Sequence, residues 1–238
     1  MIIIPARLAS SRFPNKVLAD IQGLPMVIAT AKRVESIDKV AIATDSKEVI
    51  DIAQEFGFDA VMTSDIHKSG TDRINEAANI LAIDDDEIII NVQADEPFIE
   101  PEVVKSVYTR VKKVKEEDEN ILMVSCYKSI DNSFANDPNH VKVIMDVNGN
   151  AIYFSRSKIP YDREAHHDYY GHLGIYGFTK KSLQKFCKLG TSPLEDIEKL
   201  EQLRALYFGE KIAMVRVKSK SFGIDTKEDL KRALNQLA

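Results

Sequence analysis

The chain is most informative first for what it lacks. It has only two cysteines, Cys126 and Cys187, far apart and in no metal-ligand spacing; they fit a reducing compartment and say little more. No stretch approaches the ~18 consecutive apolar residues of a membrane helix, so no membrane insertion is expected. Met1 leads straight into strand-type residues without the layered layout of a signal peptide, and the expected location is cytoplasmic. There is no excess of positive charge. A net charge of −5 argues against a surface that coats nucleic acid, so any anion site must be a local concentration of cations. Internal repeats, low-complexity segments and obvious linkers are also missing. What remains is an ordinary globular composition, 44% hydrophobic and 29% charged, over 238 residues. That length suits one α/β domain, or one domain with an added lobe.

The first sixteen residues concentrate the chemistry. Ile2, Ile3 and Ile4 form a branched apolar run without alternation, as expected of a strand buried on both faces, and Pro5 is expected to end it. Arg7, Ser10, Ser11, Arg12 and Lys16 then place three cations and two hydroxyls within ten residues, with a turn at Pro14-Asn15. A helix-like apolar pattern follows from Pro25 to Val34. Strand, cationic loop and helix together can surround a polyphosphate. The stretch contains neither the G-x-x-x-x-G-K-[ST] loop nor G-x-G-x-x-G. On charge alone a solvated basic loop accounts for it, and a functional reading draws its support from further along the chain.

Short apolar runs at residues 40–43, 58–62 and 87–92 read as further strands. They alternate with helical patterns at 47–56, from Ile74 to Leu81 and at 101–115, with Ser46 as an N-cap. This alternation predicts a largely parallel sheet covered on both faces. Ligands of such sheets sit beyond the carboxyl ends of the strands. Lys16, residues 67–73 and residues 93–96 are therefore expected to share one edge. The second half is less regular. Residues 141–145 and 151–154, joined around Asn148-Gly149, predict a hairpin. Residues 172–178 and 212–217 read as strands, 193–208 as one helix, and 227–237 as a final helix begun by Asp225-Thr226. One domain over 1–238 with a hairpin-containing extension is the economical reading.

Several groups can do chemistry. Asn91-Val-Gln-Ala-Asp-Glu-Pro97 puts carboxylates at the end of a buried strand, where they suit Mg²⁺ or simply make a turn. Asp225 taken alone is an N-cap. His67-Lys-Ser-Gly-Thr-Asp-Arg73 offers a glycine and donors at a helix start. His172 alone reads as a structural histidine, and Glu201 and Gln202 as mid-helix, solvent-exposed residues. Arg156 and Arg163 suit a carboxylate substrate. His166 and His167, among Asp162, Glu164 and Asp168, make a poor zinc set, because adjacent strand residues face opposite ways.

In order and spacing these motifs resemble the 3-deoxy-manno-octulosonate (Kdo) cytidylyltransferases, the CMP-Kdo synthetases. The matching segments run nearly the whole chain, including Ile3-Ile-Pro-Ala-Arg7, Ser10-Ser-Arg12, Pro14-Asn-Lys16, Asn91-Val-Gln-Ala-Asp-Glu-Pro97, Tyr153-Phe-Ser-Arg156, His172-Leu-Gly-Ile-Tyr-Gly177, Leu200-Glu-Gln-Leu-Arg204 and Gly223-Ile-Asp-Thr226. Two departures stand out: Asn15 and Ala94 occupy positions where the family usually has glycine. The segment between Arg163 and His172 is also short for the family.

The resemblance implies a Rossmann-like nucleotide-diphospho-sugar transferase fold, with a mostly parallel central sheet flanked by helices and a smaller hairpin-containing lobe. It implies transfer of CMP from CTP to the anomeric hydroxyl of Kdo, releasing pyrophosphate, for lipopolysaccharide synthesis. Arg7, Ser10, Arg12 and Lys16 are then expected on the triphosphate, and Ser69, Gly70 and Arg73 in the nucleotide pocket. Lys16, Asp95 and Asp225 become the catalytic set, with Asp95 and Asp225 holding Mg²⁺. Gln93, Arg163, His172, Glu201 and Gln202 are expected to hold the sugar acid, with Arg156 and Tyr176 as weaker candidates. A homodimer is implied as well, with the hairpin as a contact. The rivals are the same chemistry on an amino-substituted Kdo or a sialic acid, a glycosyltransferase on a related scaffold, and a non-catalytic nucleotide-binding protein. The sole D-x-D lies at Asp84-Asp85-Asp86, before a strand, which disfavours the glycosyltransferase.

Overall fold

The computed structural model describes residues 1–9, 13–67, 69–118, 120–164 and 168–235. β1 (Ile2–Ala6) leads through a 3-10 turn at Lys16–Leu18 and a small ribbon, β2 (Asp20–Ile21) with β3 (Leu24–Pro25), into α1 (Met26–Val34). There follow β4 (Val40–Thr44), α2 (Lys47–Glu55), β5 (Asp59–Met62), α3 (Gly70–Ile80), β6 (Ile88–Asn91) and α4 (Pro101–Glu117). The second half consists of β7 (Ile121–Ile130), α5 (Asn132–Asn136), β8 (Lys142–Met145), β9 (Ala151–Ser155), β10 (Tyr169–Thr179), α6 (Lys180–Lys188), α7 (Pro193–Glu198), α8 (Gln202–Tyr207), β11 (Lys211–Arg216) and α9 (Lys227–Asn235).

The main sheet runs β11-β7-β10-β6-β1-β4-β5, with the β8–β9 hairpin joined through β8 to β10. β10 is antiparallel to both of its neighbours on this path, and every other pairing along it is parallel. The expected mostly parallel sheet is therefore present. Alternation along β1 explains its unbroken apolar run. Ile2 and Ile4 pack with α1, α2 and α4 on one face, and Ile3 with α3, α6 and α8 on the other. Gly177 lets α4 lie against β10, since a Cβ there would stand 2.4 Å from Val111 Cγ2.

Three expectations need correction. Pro5 does not end β1, which continues to Ala6. The carbonyls of Met1 and Ile3 accept from β6, so odd residues face that strand. Pro5 thus turns its missing N–H to the β6 side, where pairing has already stopped at Ile3 with Asn91. β7, a ten-residue strand in the heart of the sheet, had no counterpart in the sequence reading. The single helix expected over 193–208 is two helices, α7 and α8, divided at Lys199, which adopts a left-handed conformation with φ of 53°.

Other local readings hold. Ser46 Oγ caps α2 by accepting from Val49 N–H. The hairpin turns at Gly149, φ 77°, with the Asp146 carboxylate accepting the N–H groups of Asn148 and Asn150. Asn15 occupies the left-handed region at φ 53°, the conformation a glycine would supply.

Candidate active site

A cleft of about 310 Å³ opens at the carboxyl edge of the parallel strands. Arg7 comes to it from the end of β1 and Lys16 from the turn beyond. His67, Ser69, Gly70 and Arg73 come from the start of α3, and Gln93, Ala94 and Asp95 from the loop after β6. The expected gathering of these loops is observed, and the physical reason is direction: parallel strands end on the same side.

Lys16 sits between two carboxylates. Its Nζ donates to Asp95 Oδ2 at 2.5 Å and to Asp225 Oδ1 at 3.2 Å. Burial opposes its charge, but the Asp95 and Asp225 carboxylates outweigh that and hold the ammonium pKa above its usual range. Asp225 arrives on a strap at 217–226 that has no regular structure and is pinned at several points. Ile224 N–H donates to Asp95 O at 2.9 Å. Lys128 Nζ donates to Ser221 O at 2.9 Å, and Glu100 accepts from Ser219 Oγ at 2.6 Å and from Lys220 N–H at 2.8 Å. Capping of α9 falls to Thr226, whose Oγ1 accepts from Asp229 N–H at 3.1 Å. The Asp225 side chain reaches Lys16 instead. Two carboxylates converging on one cationic point are hard oxygen donors of the kind Mg²⁺ takes alongside phosphate oxygens, so the residues fit such an ion.

The α3 entrance is tightly built. Ser69 Oγ accepts from Asp72 N–H as the N-cap and donates to Asp72 Oδ2. A Cβ on Gly70 would stand 3.1 Å from Pro5 Cγ and 3.4 Å from Gln93 Oε1, so a larger residue would press on the cleft wall. Arg73 is buried, donating to Thr63 Oγ1 at 2.6 Å and Asp45 Oδ2 at 2.7 Å.

A second cleft, about 570 Å³, adjoins the first and shares Gln93, Glu201 and Asp225 with it. In and behind its wall runs a chain of polar groups, the half-buried His172 between buried Ser125, Gln202 and Tyr176. Ser125 Oγ lies 2.8 Å from both Ile175 O and His172 Nε2. With one hydrogen, the hydroxyl donates to the carbonyl and accepts from His172 Nε2–H. His172 Nδ1 then accepts from Gln202 Nε2 at 3.4 Å, while Gln202 Oε1 accepts from the Tyr176 hydroxyl at 3.1 Å. Burial alone pushes the His172 pKa down to about 3, so the ring is neutral near pH 7. Beneath the same cleft, burial and the neighbouring Asp95 charge push Glu96 up to about 8, and its Oε2 has no partner among the described residues.

The cytidylyltransferase family model matches residues 1–212. The 3-deoxy-manno-octulosonate cytidylyltransferase of a Nitratiruptor species is 61% identical, across 98% of this chain and 97% of its own. That of Wolinella succinogenes is 51% identical, across 98% of each. A solved CMP:2-keto-3-deoxy-manno-octonic acid synthetase, complexed with CTP, superposes with a TM-score of 0.89 at 36% identity, covering 99% of this chain and 97% of that one. The chain belongs to the 3-deoxy-manno-octulosonate cytidylyltransferase family.

In this cytidylyltransferase the structure brings together most of the residues anticipated from the sequence. Arg7, Lys16, Ser69, Gly70, Arg73, Asp95 and Asp225 line the first cleft, and His172, Tyr176 and Gln202 the second. Ser10 and Arg12 lie outside the described residues, as do His166 and His167. Arg163 is exposed and lines neither cleft. Arg156 is committed to the protein, its Nε donating to Glu198 O at 2.7 Å and its Nη1 to Pro138 O at 3.0 Å. Glu201 and Gln202 line the clefts, in keeping with what the family resemblance implies and against the solvent-exposed, mid-helix placement that their local pattern alone predicts. The break at Lys199 puts them at the start of α8 facing the clefts, with Gln202 only 2% exposed. Lys128 and Glu100, which pin the strap, were not anticipated. Nothing local marks Lys128, and Glu100 looks like any acidic residue before a helix.

Proposed function

We propose that this chain transfers CMP from CTP to the anomeric hydroxyl of Kdo, giving CMP-Kdo and pyrophosphate and so activating the sugar for lipopolysaccharide synthesis. The observation that carries this reading is the meeting of Lys16, Asp95 and Asp225 where two clefts join. One cleft has the cations and backbone donors a nucleoside triphosphate needs, and the other has the buried polar wall a hydroxylated sugar needs.

In this reading the hydroxyl oxygen attacks the α-phosphorus of CTP, the bond to the β-phosphate oxygen breaks in line, and the hydroxyl proton is lost. Arg7, Arg12 and Lys16 neutralise the triphosphate, with Ser69, Gly70 and Arg73 completing the nucleotide pocket. Asp95 and Asp225 would hold Mg²⁺, which when bound supplies further charge neutralisation on the phosphates and acidifies the attacking hydroxyl. Gln93, Glu201 and Gln202 orient the sugar, and His172 acts as a fixed neutral hydrogen-bonding group holding Gln202. Arg163 has no part in this account. Alignment of two substrates in adjoining clefts removes much of the entropic barrier, and fixed cations remove much of the electrostatic one.

The same reading has the enzyme working in the cytoplasm as a homodimer. Exposed Val147 and Ile152 on the hairpin support a contact there, which sedimentation can test. No helix among the described residues is long and apolar enough to cross a membrane.

The decisive assay is pyrophosphate release with CTP and Mg²⁺, comparing Kdo, its 8-amino analogue and a sialic acid. Release with Kdo that disappears in Asp95→Asn supports the proposal. Release only with another acid moves the specificity and keeps the chemistry. CTP binding without release for any acid would overturn the enzyme reading.

A further inference from the structure

Ser69 and Gly70 at the start of α3 line the first cleft, but the residue after them does not. Thr71 is buried at 2% exposure, and its Oγ1 donates to Glu201 Oε2 at 2.5 Å, across 130 positions of sequence. Glu201 lines both clefts. Among the described residues Thr71 is the one hydrogen-bond donor to that carboxylate. The nearby cation is otherwise engaged: Arg204 forks onto Glu195 at 2.6 and 2.9 Å and reaches Asp72 at 3.9 Å. An ionised carboxylate accepts hydrogen bonds only, so a single donor on one oxygen sets its orientation and leaves Oε1 for a ligand.

We propose that Thr71 is a positioning residue for the sugar acid: its hydroxyl orients the Glu201 carboxylate at the junction of the clefts, so that the remaining oxygen receives a sugar hydroxyl. This rests on the reading of the second cleft as the sugar site. Thr71 thereby ties the helix that receives the nucleotide to the residue that receives the acceptor. The titratable and charged groups around Glu201 are Asp72 on α3, Tyr176 on β10, Cys187 on α6, Glu195 on α7 and Arg204 on α8. Burial raises the Glu201 pKa, and the Thr71 hydroxyl is the foremost influence holding it down. Loss of that hydroxyl lets it rise further.

The test compares Thr71→Val, which keeps the shape and removes the hydroxyl, with Thr71→Ser, which keeps the hydroxyl. Thr71→Val is expected to raise KM for the sugar acid about tenfold or more, as for a hydrogen bond to a charged group. KM for CTP should stay within about twofold, and Thr71→Ser should lie close to wild type in both. Carboxyl ¹³C NMR of the free enzyme should show Glu201 titrating at higher pH in Thr71→Val than in wild type. An unchanged sugar KM in Thr71→Val, or equal losses for both substrates in both variants, would overturn the inference. If the wild-type chain turns over no sugar acid, the functional reading fails instead. An unmoved Glu201 titration in that case would also remove Thr71 as its orienting donor.

Discussion

Lys16 and Asp225 are 209 positions apart in the chain, yet the ammonium of one lies 3.2 Å from the carboxylate of the other. Asp95 is closer still to the same nitrogen, at 2.5 Å. The three groups make a cluster in which each charge faces one of opposite sign.

Removing the central charge should expose that balance. Lys16→Met is expected to lower kcat by about 10²-fold or more, the usual scale for one preorganised electrostatic group. Its effect on Tm should be small beside the loss of rate. Steady-state pyrophosphate release and a melting curve on the same preparation check both halves.

The strap that carries Asp225 offers a test at a distance. Glu100→Ala removes the acceptor for Ser219 Oγ and Lys220 N–H without touching either cleft's acidic pair. Looser placement of Asp225 should raise the Mg²⁺ concentration needed for half-maximal rate several-fold, on the order of 1 kcal/mol for such bonds. A Mg²⁺ titration identical to wild type would show that the strap is held by other contacts.

His172 should not titrate in the physiological range. Its folded pKa is pushed down to about 3 by burial, against 6.5 ordinarily. Below about 6.5 the unfolded chain takes up a proton that the folded chain refuses. The stability this ring contributes is therefore complete above that pH and is lost progressively as pH falls toward about 3. Imidazole NMR between pH 5 and 8 should find a constant Nε2–H tautomer, and a ring that protonates near 6.5 would contradict the buried chain of hydrogen bonds.

The break between α7 and α8 depends on a buried ion pair. Arg204 and Glu195 side chains are 6% and 11% exposed and meet at 2.6 Å. Arg204→Met should cost about 3–5 kcal/mol, because it leaves a buried carboxylate uncompensated. Denaturant melts measure that loss, and the sugar KM should rise with it as Glu201 and Gln202 lose their seat.

Local sequence determined the elements whose signals are local. Buried branched runs made β1, β4 and β6 readable, amphipathic spacing made α1 to α4 readable, and Asn148-Gly149 marked the hairpin. The direction rule for parallel strands was enough to place Lys16, Gly70 and Asp95 on one edge. Motif order carried the family. Tertiary structure alone decided the remainder. Lys199 takes its left-handed turn in a run whose apolar spacing reads as one helix, where the Glu195–Arg204 pair fastens α7 to α8 and Glu198 holds α7 to Arg156 beyond β9. That break brings Glu201 and Gln202, surface residues by local pattern but sugar-acid residues by motif order, to the clefts. Asp225, a helix cap by its local sequence and a metal carboxylate by motif order, leaves the capping of α9 to Thr226. In each case the deciding energy comes from partners far away in sequence, and a pattern read over a few residues contains no record of them.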